Sequence, residues 1–300
     1  DTVVTLGVTA TGATGQAAST DIKALEYFNG TSWVAVPVNG QVTIAAGQTE
    51  LQVRVPTVQD SVYEGNENFQ ITANLSPAVG ATGTGTIVDD GSPTPPPPGP
   101  GPFPTPEDDR PRVQGVSNAT AIEGGSSSIA KDLIFDVTLS NRSTTETTVT
   151  LALNTATTNG ATITGTALDI GVRSVSFDGG KTYTVFTGND IKVPANTDPT
   201  QIKVKLEVLN DSLVENTETL TLSAKTQYET GTGQTGTGTI LDNDSQGITI
   251  GGNGTTPALG NVLVAEGQDA VFTVKLTNIS ATDTVVTLGV TATGATGQAA

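Results

Sequence analysis

The chain has 300 residues and a formal net charge of −17, which makes nucleic acid and anionic membranes poor partners and divalent cations natural ones. It contains no cysteine, histidine or methionine, so disulfides and both serine–histidine and cysteine–histidine catalysis are excluded, and we expect no enzyme. Only 4% of the residues are aromatic and 35% hydrophobic, which favours thin two-sheet folds over a thick globule.

The chain opens with DTVVTLGVTATGATGQAA, and the same sequence recurs without change at 283–300. An identical stretch at an offset of 282 residues indicates a window from a longer array with that period, although a designed tandem would look the same. We therefore interpret residues 1–91 as the C-terminal part of a module, called module A, whose opening strands are missing.

An acidic motif lies within module A at 58–73, in the sequence VQDSVYEGNENFQITA. It places carboxylates at spacings of four and three directly before an alternating strand, at Asp60, Glu64 and Glu67. The run GTGTIVDD at 83–90 follows and ends in Asp89 and Asp90.

A proline-rich linker is predicted at 92–112, where ten of the sixteen prolines occur. Proline fixes φ and removes backbone donors, so this segment is expected to be a polyproline II spacer between modules. A ligand for an aromatic-lined peptide-binding groove is the alternative.

Residues 113–245 are predicted to form a complete module, called module B. Its hydrophobic residues alternate with polar ones, as in Leu133, Phe135 and Val137, and turn sequences separate the runs, which together indicate a two-sheet antiparallel sandwich. The acidic motif returns in LNDSLVENTETLTL at 209–222, and GTGTILDND at 236–244 repeats the acidic stop. Residues 246–300, with VLVAEG and AVFTVKL, are interpreted as the start of the next module A.

The repeated acids suggest a site for calcium, which takes six to eight oxygen ligands from carboxylates, carbonyls and amides. If the loops of module B meet at one end of a sandwich, their carboxylates would repel one another without a cation. The alternative is that these acids cap turns and keep sheet edges from pairing with other chains.

The pattern resembles the Calx-beta domain. The matching features in module B are an EG turn near the start, GTALD, an aspartate followed by glutamates four and seven residues later, and a final TILDND. The resemblance implies tandem immunoglobulin-like β-sandwiches joined by linkers, with calcium bound by acidic loops. Carried over by position, the implied metal ligands are Glu123, Asp169, Asp211, Glu215, Glu218, Asp242 and Asp244 in module B, and Asp21, Asp60, Glu64, Glu67, Asp89, Asp90 and Glu266 in the two parts of module A.

The sequence departs from the exchanger type of this domain at three positions. Asn210 and Asn243 stand where aspartate is usual, and Gln59 replaces the first acid of its pair. Fewer charges imply fewer or more weakly bound ions in each module.

Tandem modules of this kind are similar to the extender region of large bacterial RTX-type adhesins. The resemblance implies a non-catalytic, calcium-stabilised repeat of an extracellular cell-surface adhesin or matrix fibre. The expected partners are neighbouring repeats and other fibre chains, with no nucleic acid and no membrane insertion in this segment.

Alternatives of other classes remain open at this stage. A calcium sensor would use the same ligands with higher affinity. A carbohydrate-binding or hydrolytic module would need an aromatic platform, for which Tyr27 and Trp33 are candidates, or a pocketed acid pair. A polymer formed by strand donation between chains is a further option, which the duplicated stretch disfavours.

Overall fold

The computed structural model describes residues 1–13, 15–76, 79–92, 107–126, 128–165, 168–252 and 262–291, and these residues form strands, turns and no helix. The predicted all-β class is therefore confirmed, with mainly antiparallel sheets. None of the described residues belongs to a helix of the length and apolar character that crossing a bilayer requires.

The N-terminal portion of the chain contains eight strands, namely β1 (Thr2–Thr9), β2 (Glu26–Phe28), β3 (Trp33–Ala35), β4 (Gln41–Ile44), β5 (Val53–Arg54), β6 (Val62–Tyr63), β7 (Glu67–Ser76) and β8 (Val79–Ile87). All of them except β6 form two sheets, the N-terminal sheets. One sheet has the order β4-β1-β7-β8 and the other the order β3-β2-β5. Val4, Leu6 and Val42 are buried between them, because alternate side chains of a strand point to the same face.

The central sandwich follows, with β9 (Val113–Val116), β10 (Ala119–Ile122), β11 (Asp132–Leu139), β12 (Arg142–Ser143), β13 (Thr147–Thr155), β14 (Ile170–Ser176), β15 (Thr184–Val185), β16 (Asp190–Val193), β17 (Ile202–Val208), β18 (Leu213–Val214), β19 (Glu218–Thr226) and β20 (Gln234–Leu241). Its sheets have the orders β10-β20-β19-β13-β16 and β15-β14-β17-β11-β9. Leu133, Phe135 and Val137 are fully buried between the two sheets, as the alternation predicts.

The glycines of the GTGTI run let the two sheets approach each other. A Cβ atom at Gly238 would lie 2.9 Å from Leu133, 3.0 Å from Leu220 and 3.0 Å from Phe135. A larger residue at this position would therefore push the sheets apart.

Three strands complete the chain, β21 (Ile248–Gly252), β22 (Phe272–Leu276) and β23 (Ile279–Ser280), of which the first two form an antiparallel pair. Unlike the corresponding residues of the central sandwich, Ile250 and Phe272 are about half exposed.

The order of strands repeats along the chain. The sheet β4-β1-β7-β8 has the same connectivity as β16-β13-β19-β20 in the central sandwich. Of the additional strands in the central portion, β9, β11 and β12 correspond in turn to β21, β22 and β23, and β10 has no counterpart among the described strands. The N-terminal sheets and the C-terminal strands thus hold complementary sets of the elements found together in the central sandwich.

Consecutive portions of the chain are joined by short parallel strand pairs. At the first joint β6 pairs with β12, through Val62 with Arg142 and Tyr63 with Ser143. At the second joint β18 pairs with β23, through Leu213 with Ile279 and Val214 with Ser280. Each joint therefore uses the middle of an acidic motif to dock onto the following portion.

The proline-rich segment does not hold the N-terminal sheets and the central sandwich apart. Residues 93–106 lie outside the described residues, but Asp90 and Asp108 on either side form an antiparallel bridge. The flanking portions therefore contact each other directly, while the predicted polyproline II conformation of the segment concerns residues outside the described ones.

Candidate metal centre

The acidic loops of the central sandwich meet at one end because of strand pairing. β10 and β20 run parallel and end together at Ile122 and Leu241, so Glu123 and Asp242 follow on adjacent strands. β14 begins opposite the end of β17, where Ile170 pairs with Val208, which places Asp169 beside the acidic motif.

One group of carboxylates, the Asp169 cluster, consists of Asp169, Glu215 and Glu218. Each offers an oxygen within 4.8 Å of the other two. Asp169 is buried, and its backbone carbonyl accepts a hydrogen bond from the Leu209 N–H at 2.9 Å. One oxygen of Glu218, Oε2, is buried without a hydrogen-bond partner.

A second group, the Glu123 cluster, consists of Glu123, Asp211 and Asp244, again with oxygens within 4.8 Å of one another. Glu123 is only 3% exposed, yet its Oε2 atom has no hydrogen-bond partner, and the same is true of Asp244 Oδ2. Burying unpaired carboxylate oxygens is costly, so this arrangement favours a cation between them.

Asp242 lies between the two clusters and is held by the backbone. Its Oδ2 atom accepts the N–H of Glu215 at 2.7 Å, and its Oδ1 atom accepts the N–H of Asp244 at 2.7 Å. The carboxylate of Asp242 thus ties the acidic motif to the acidic stop.

The EG turn is fixed by two amide side chains. The Asn243 side chain donates to the Glu123 carbonyl at 2.6 Å and to Asn210 Oδ1 at 2.7 Å. Gly124 has a φ of 63°, and a Cβ atom there would lie 2.4 Å from Asn210 Oδ1. The glycine is therefore required for the turn that presents Glu123.

The N-terminal sheets carry one corresponding group, the Asp21 cluster, made of Asp21, Glu64 and Glu67. The Val58 N–H donates to the Asp21 carbonyl at 2.7 Å, which matches the bond from Leu209 to Asp169. With Asp60 and Asp89, these residues line a cavity of about 80 Å³.

Asp89 and Asp60 repeat the contacts seen in the central sandwich. Asp89 Oδ2 accepts the N–H of Glu64 at 2.8 Å, as Asp242 accepts that of Glu215. Asp60 Oδ1 accepts the N–H of Val62 at 2.8 Å, as Asp211 accepts that of Leu213 at 2.7 Å. The two acidic motifs therefore have the same local structure.

Asp109 was not among the residues predicted from the sequence. It is 4% exposed and accepts hydrogen bonds from the side chains of Gln59 and Asn141, both at 3.0 Å. Asp109 precedes β9 by four residues, just as Asp244 precedes β21 by four. Aligning the two repeats on the strand that follows each acidic stop, rather than on the GTGTI run, would have identified Asp109 as the counterpart of Asp244.

Five predicted ligands lie outside the three clusters of the described residues: Asp60, Asp89 and Asp242 make the neighbouring contacts given above, whereas Asp90 and Glu266 lie elsewhere. Asp90 caps a turn by accepting the Ser92 N–H at 2.9 Å, and the place matching Asp244 is taken by Asp109 instead. Glu266 is exposed in a turn closed by Gln268 and Ala265.

Burial and the proximity of other acids raise the pKa values of two carboxyl groups in the central sandwich. Burial, with the nearby charge of Asp211, raises the pKa of Glu123 from 4.5 to about 7. Burial and a hydrogen bond with Asp169 raise the pKa of Glu218 to about 8. The ionised form of the central clusters is therefore unfavourable without a compensating cation.

The N-terminal sheets show the same electrostatics. Burial and the charge of Glu64 raise the pKa of Glu67 to about 7. The pKa of Asp89 is also raised to about 7, mainly by burial. The two acidic sites therefore resemble each other in their raised pKa values as well as in sequence and hydrogen bonding.

Trp33, one of the two aromatic residues considered for sugar binding, is already engaged within the protein. The Arg54 guanidinium lies 4.5 Å from the centre of the Trp33 ring, and the ring of Phe28 lies 5.5 Å from it. Arg54 also forms an ion pair with Glu26 at 2.6 Å.

Paired sheets with repeated acidic loops at the ends of their strands define a class of β-sandwich repeats. Comparison with protein families finds a match to the Calx-beta domain over residues 19–90 and 134–246, which is more than half of the chain. The chain belongs to the Calx-beta family. A comparison with curated proteins returned no match.

Proposed function

We propose that this chain is a non-catalytic structural repeat whose acidic loops are stabilised by calcium. The observation that supports this most strongly is the buried and unpaired Oε2 atom of Glu123, whose carboxylate belongs to the cluster with Asp211 and Asp244. A cation at this position would supply the missing partner and cancel the repulsion among the three carboxylates.

The donor set suits calcium better than a transition metal. Every candidate ligand is an oxygen, since the chain has neither histidine nor cysteine. Calcium takes six to eight oxygens at about 2.3–2.6 Å, and three carboxylates with nearby carbonyl and amide oxygens can approach that number. The residues that would hold calcium in the central sandwich are Asp169, Asp211, Glu215, Glu218, Asp242, Asp244 and Glu123.

The residues that would hold calcium in the N-terminal sheets are Asp21, Asp60, Glu64, Glu67, Asp89 and Asp109. Asp109 replaces Asp90 in this proposal, because Asp109 is buried and is a neighbour of Asp89 and Asp60. One of the acids proposed for the N-terminal site, Asp109, therefore comes from the far side of the proline-rich segment.

We further propose that residues 1–91 and 246–300 are two portions of one module type, module A, and that residues 113–245 are module B. The complementary sets of strands support this division. It also accounts for the exposed apolar residues Ile250 and Phe272, whose counterparts in module B are covered by the facing sheet.

In its biological setting, the proposed role is that of an extender in an extracellular bacterial surface adhesin or matrix fibre, with neighbouring repeats as the principal partners. The joints between consecutive portions support a rod of docked modules. Extracellular calcium sites commonly have dissociation constants of about 10⁻⁴ to 10⁻³ M, so external calcium would keep such sites filled.

Isothermal titration calorimetry of the full chain with calcium tests this proposal. We expect binding in the range of extracellular modules, reduced in a Glu215→Gln, Glu218→Gln variant and unchanged in Glu50→Gln, where the exposed glutamate lies outside the clusters. Absence of binding would contradict the proposal, and micromolar or tighter affinity would favour a calcium sensor instead.

A further inference from the structure

The two joints of the chain share one plan. At the first joint, Thr144 N–H donates to the Tyr63 carbonyl at 2.9 Å, and Asn141 donates to Asp109 at 3.0 Å. At the second joint, Ala281 N–H donates to the Val214 carbonyl at 3.0 Å, and Asn278 lies 3.4 Å from the Asp244 carboxylate. In both joints, therefore, an asparagine binds the aspartate that precedes the first strand of the following portion by four residues.

The first joint contains aromatic contacts in addition to this plan. The ring of Tyr63, on β6, packs edge-on against that of Tyr228, from the central sandwich, with the centres 5.4 Å apart. The Arg110 guanidinium lies 5.9 Å from the centre of the Tyr228 ring. Burial raises the pKa of Tyr63 to about 12, consistent with a ring enclosed at the joint.

The first joint also carries its own positive charge. Arg110 and Arg112 both form ion pairs with Asp108, at 2.7 and 2.5 Å. Both arginines follow Asp109 in the chain and pair with its neighbour Asp108, so protein cations offset part of the negative charge at this joint.

The second joint lacks the counterparts of Tyr63, Arg110 and Arg112. Counting from the shared aspartate, Ser245 occupies the place of Arg110 and Gly247 that of Arg112, while Val214 occupies the place of Tyr63. Among the described residues no lysine or arginine forms an ion pair at this joint. The acids of the Glu123 cluster are therefore adjacent to the joint without a protein cation.

We propose that the two joints depend unequally on calcium: Tyr63, Tyr228 and Arg110 hold the first joint without the ion, whereas the second joint keeps its arrangement only when the Glu123 cluster is filled. This rests on the proposed calcium site. The chain would then alternate between a permanent joint and a calcium-controlled one.

Spin-label distance measurements on the full chain test this inference. The sequence has no cysteine, so Gln48→Cys with Thr187→Cys spans the first joint, and Thr187→Cys with Gln268→Cys spans the second. All three positions are exposed. In chelator we expect a broadened distance distribution across the second joint and an unchanged one across the first, with calcium restoring the narrow distribution.

A swap variant provides the matched control. Tyr63→Val with Arg110→Ser and Arg112→Gly gives the first joint the residues of the second at these three positions, and we expect its distance distribution to become calcium-dependent. Equal responses of the two joints, or no response of the second while calorimetry shows calcium binding, would overturn the inference and leave the calcium site intact. Failure of calcium to bind would overturn both proposals.

Discussion

The backbone N–H of Glu215 donates to the carboxylate of Asp242 at 2.7 Å, and this bond holds two acidic loops together at the end of the central sandwich. The same bond joins Glu64 to Asp89 in the N-terminal sheets. Backbone hydrogen bonds thus position the carboxylates before a cation binds. The free-energy cost of ordering the loops on binding is therefore smaller.

Replacing Asp242 by alanine tests the role of this carboxylate. In saturating calcium we expect the free energy of unfolding to fall by about 3–6 kcal/mol, since Asp242 accepts two hydrogen bonds and those to a charged acceptor contribute about 1.5–3 kcal/mol each. In chelator the loss is smaller, because removing Asp242 also relieves its repulsion of Glu123 and Glu215.

Chemical denaturation with and without calcium measures the two losses. Asp190→Ala is the control. Asp190 lies on the edge strand β16, outside the acidic clusters, and its side chain accepts one hydrogen bond from Thr150. Its effect is expected to be the same in both conditions. Equal losses for Asp242→Ala in calcium and in chelator would argue against a metal role.

The raised pKa values predict how stability depends on pH without calcium. The carboxyl groups of Glu218 and Glu123 titrate near pH 8 and 7 in the folded state, against 4.5 ordinarily. Between these values the folded state binds more protons than the unfolded state, so stability is greatest below about pH 4.5 for these groups and falls as pH rises to about 8.

Thermal melting from pH 4.5 to 8 in chelator is expected to show this fall. Saturating calcium should reduce it strongly, because the ion stabilises the ionised carboxylates. Glu218→Gln should remove part of the fall in chelator. A melting temperature that rises over this range in chelator would contradict the assignment of buried, uncompensated acids.

Asp109 and Asp90 form a matched pair for testing which aspartate belongs to the site. Asp109→Asn should reduce the gain in melting temperature that calcium gives the N-terminal sheets, because Asp109 is a buried neighbour of Asp89. Asp90→Asn should leave that gain unchanged, since Asp90 only caps the turn at Ser92. The reverse result would restore the assignment made from the sequence.

Sheet packing is predicted to be independent of the metal. Gly238→Ala places a methyl group within 3.0 Å of Leu133, Leu220 and Phe135, and overpacking of this kind costs about 1–3 kcal/mol. Gly115→Ala is the control, because no atom lies within 4 Å of a Cβ there. Denaturant melts should show a loss only for Gly238→Ala, of equal size with and without calcium.

Much of the central sandwich could be predicted from the sequence because its signals are local. The alternation of Leu133, Phe135 and Val137 follows from the period of a strand, and the structure buries all three. The spacing of Asp211, Glu215 and Glu218 was also visible, as was its recurrence in the N-terminal sheets.

The remaining features depend on contacts between distant residues. Asp109 was missed because the proline-rich segment separates it from Asp89 in sequence, although the bridge between Asp90 and Asp108 brings them together in space. The parallel pairs at the joints involve two residues on each strand, too few to produce a period. The proximity of Glu123 and Asp242 likewise follows from the parallel pairing of β10 with β20, which are far apart in sequence.

The most direct test of the central claim is anomalous diffraction from crystals of the full chain grown with calcium. The account predicts anomalous peaks among the carboxylates of Glu123, Asp211 and Asp244 and among those of Asp169, Glu215 and Glu218, at distances typical of calcium–oxygen bonds. It would be contradicted by crystals in calcium that show no peak at either cluster and carboxylates turned outward into solvent.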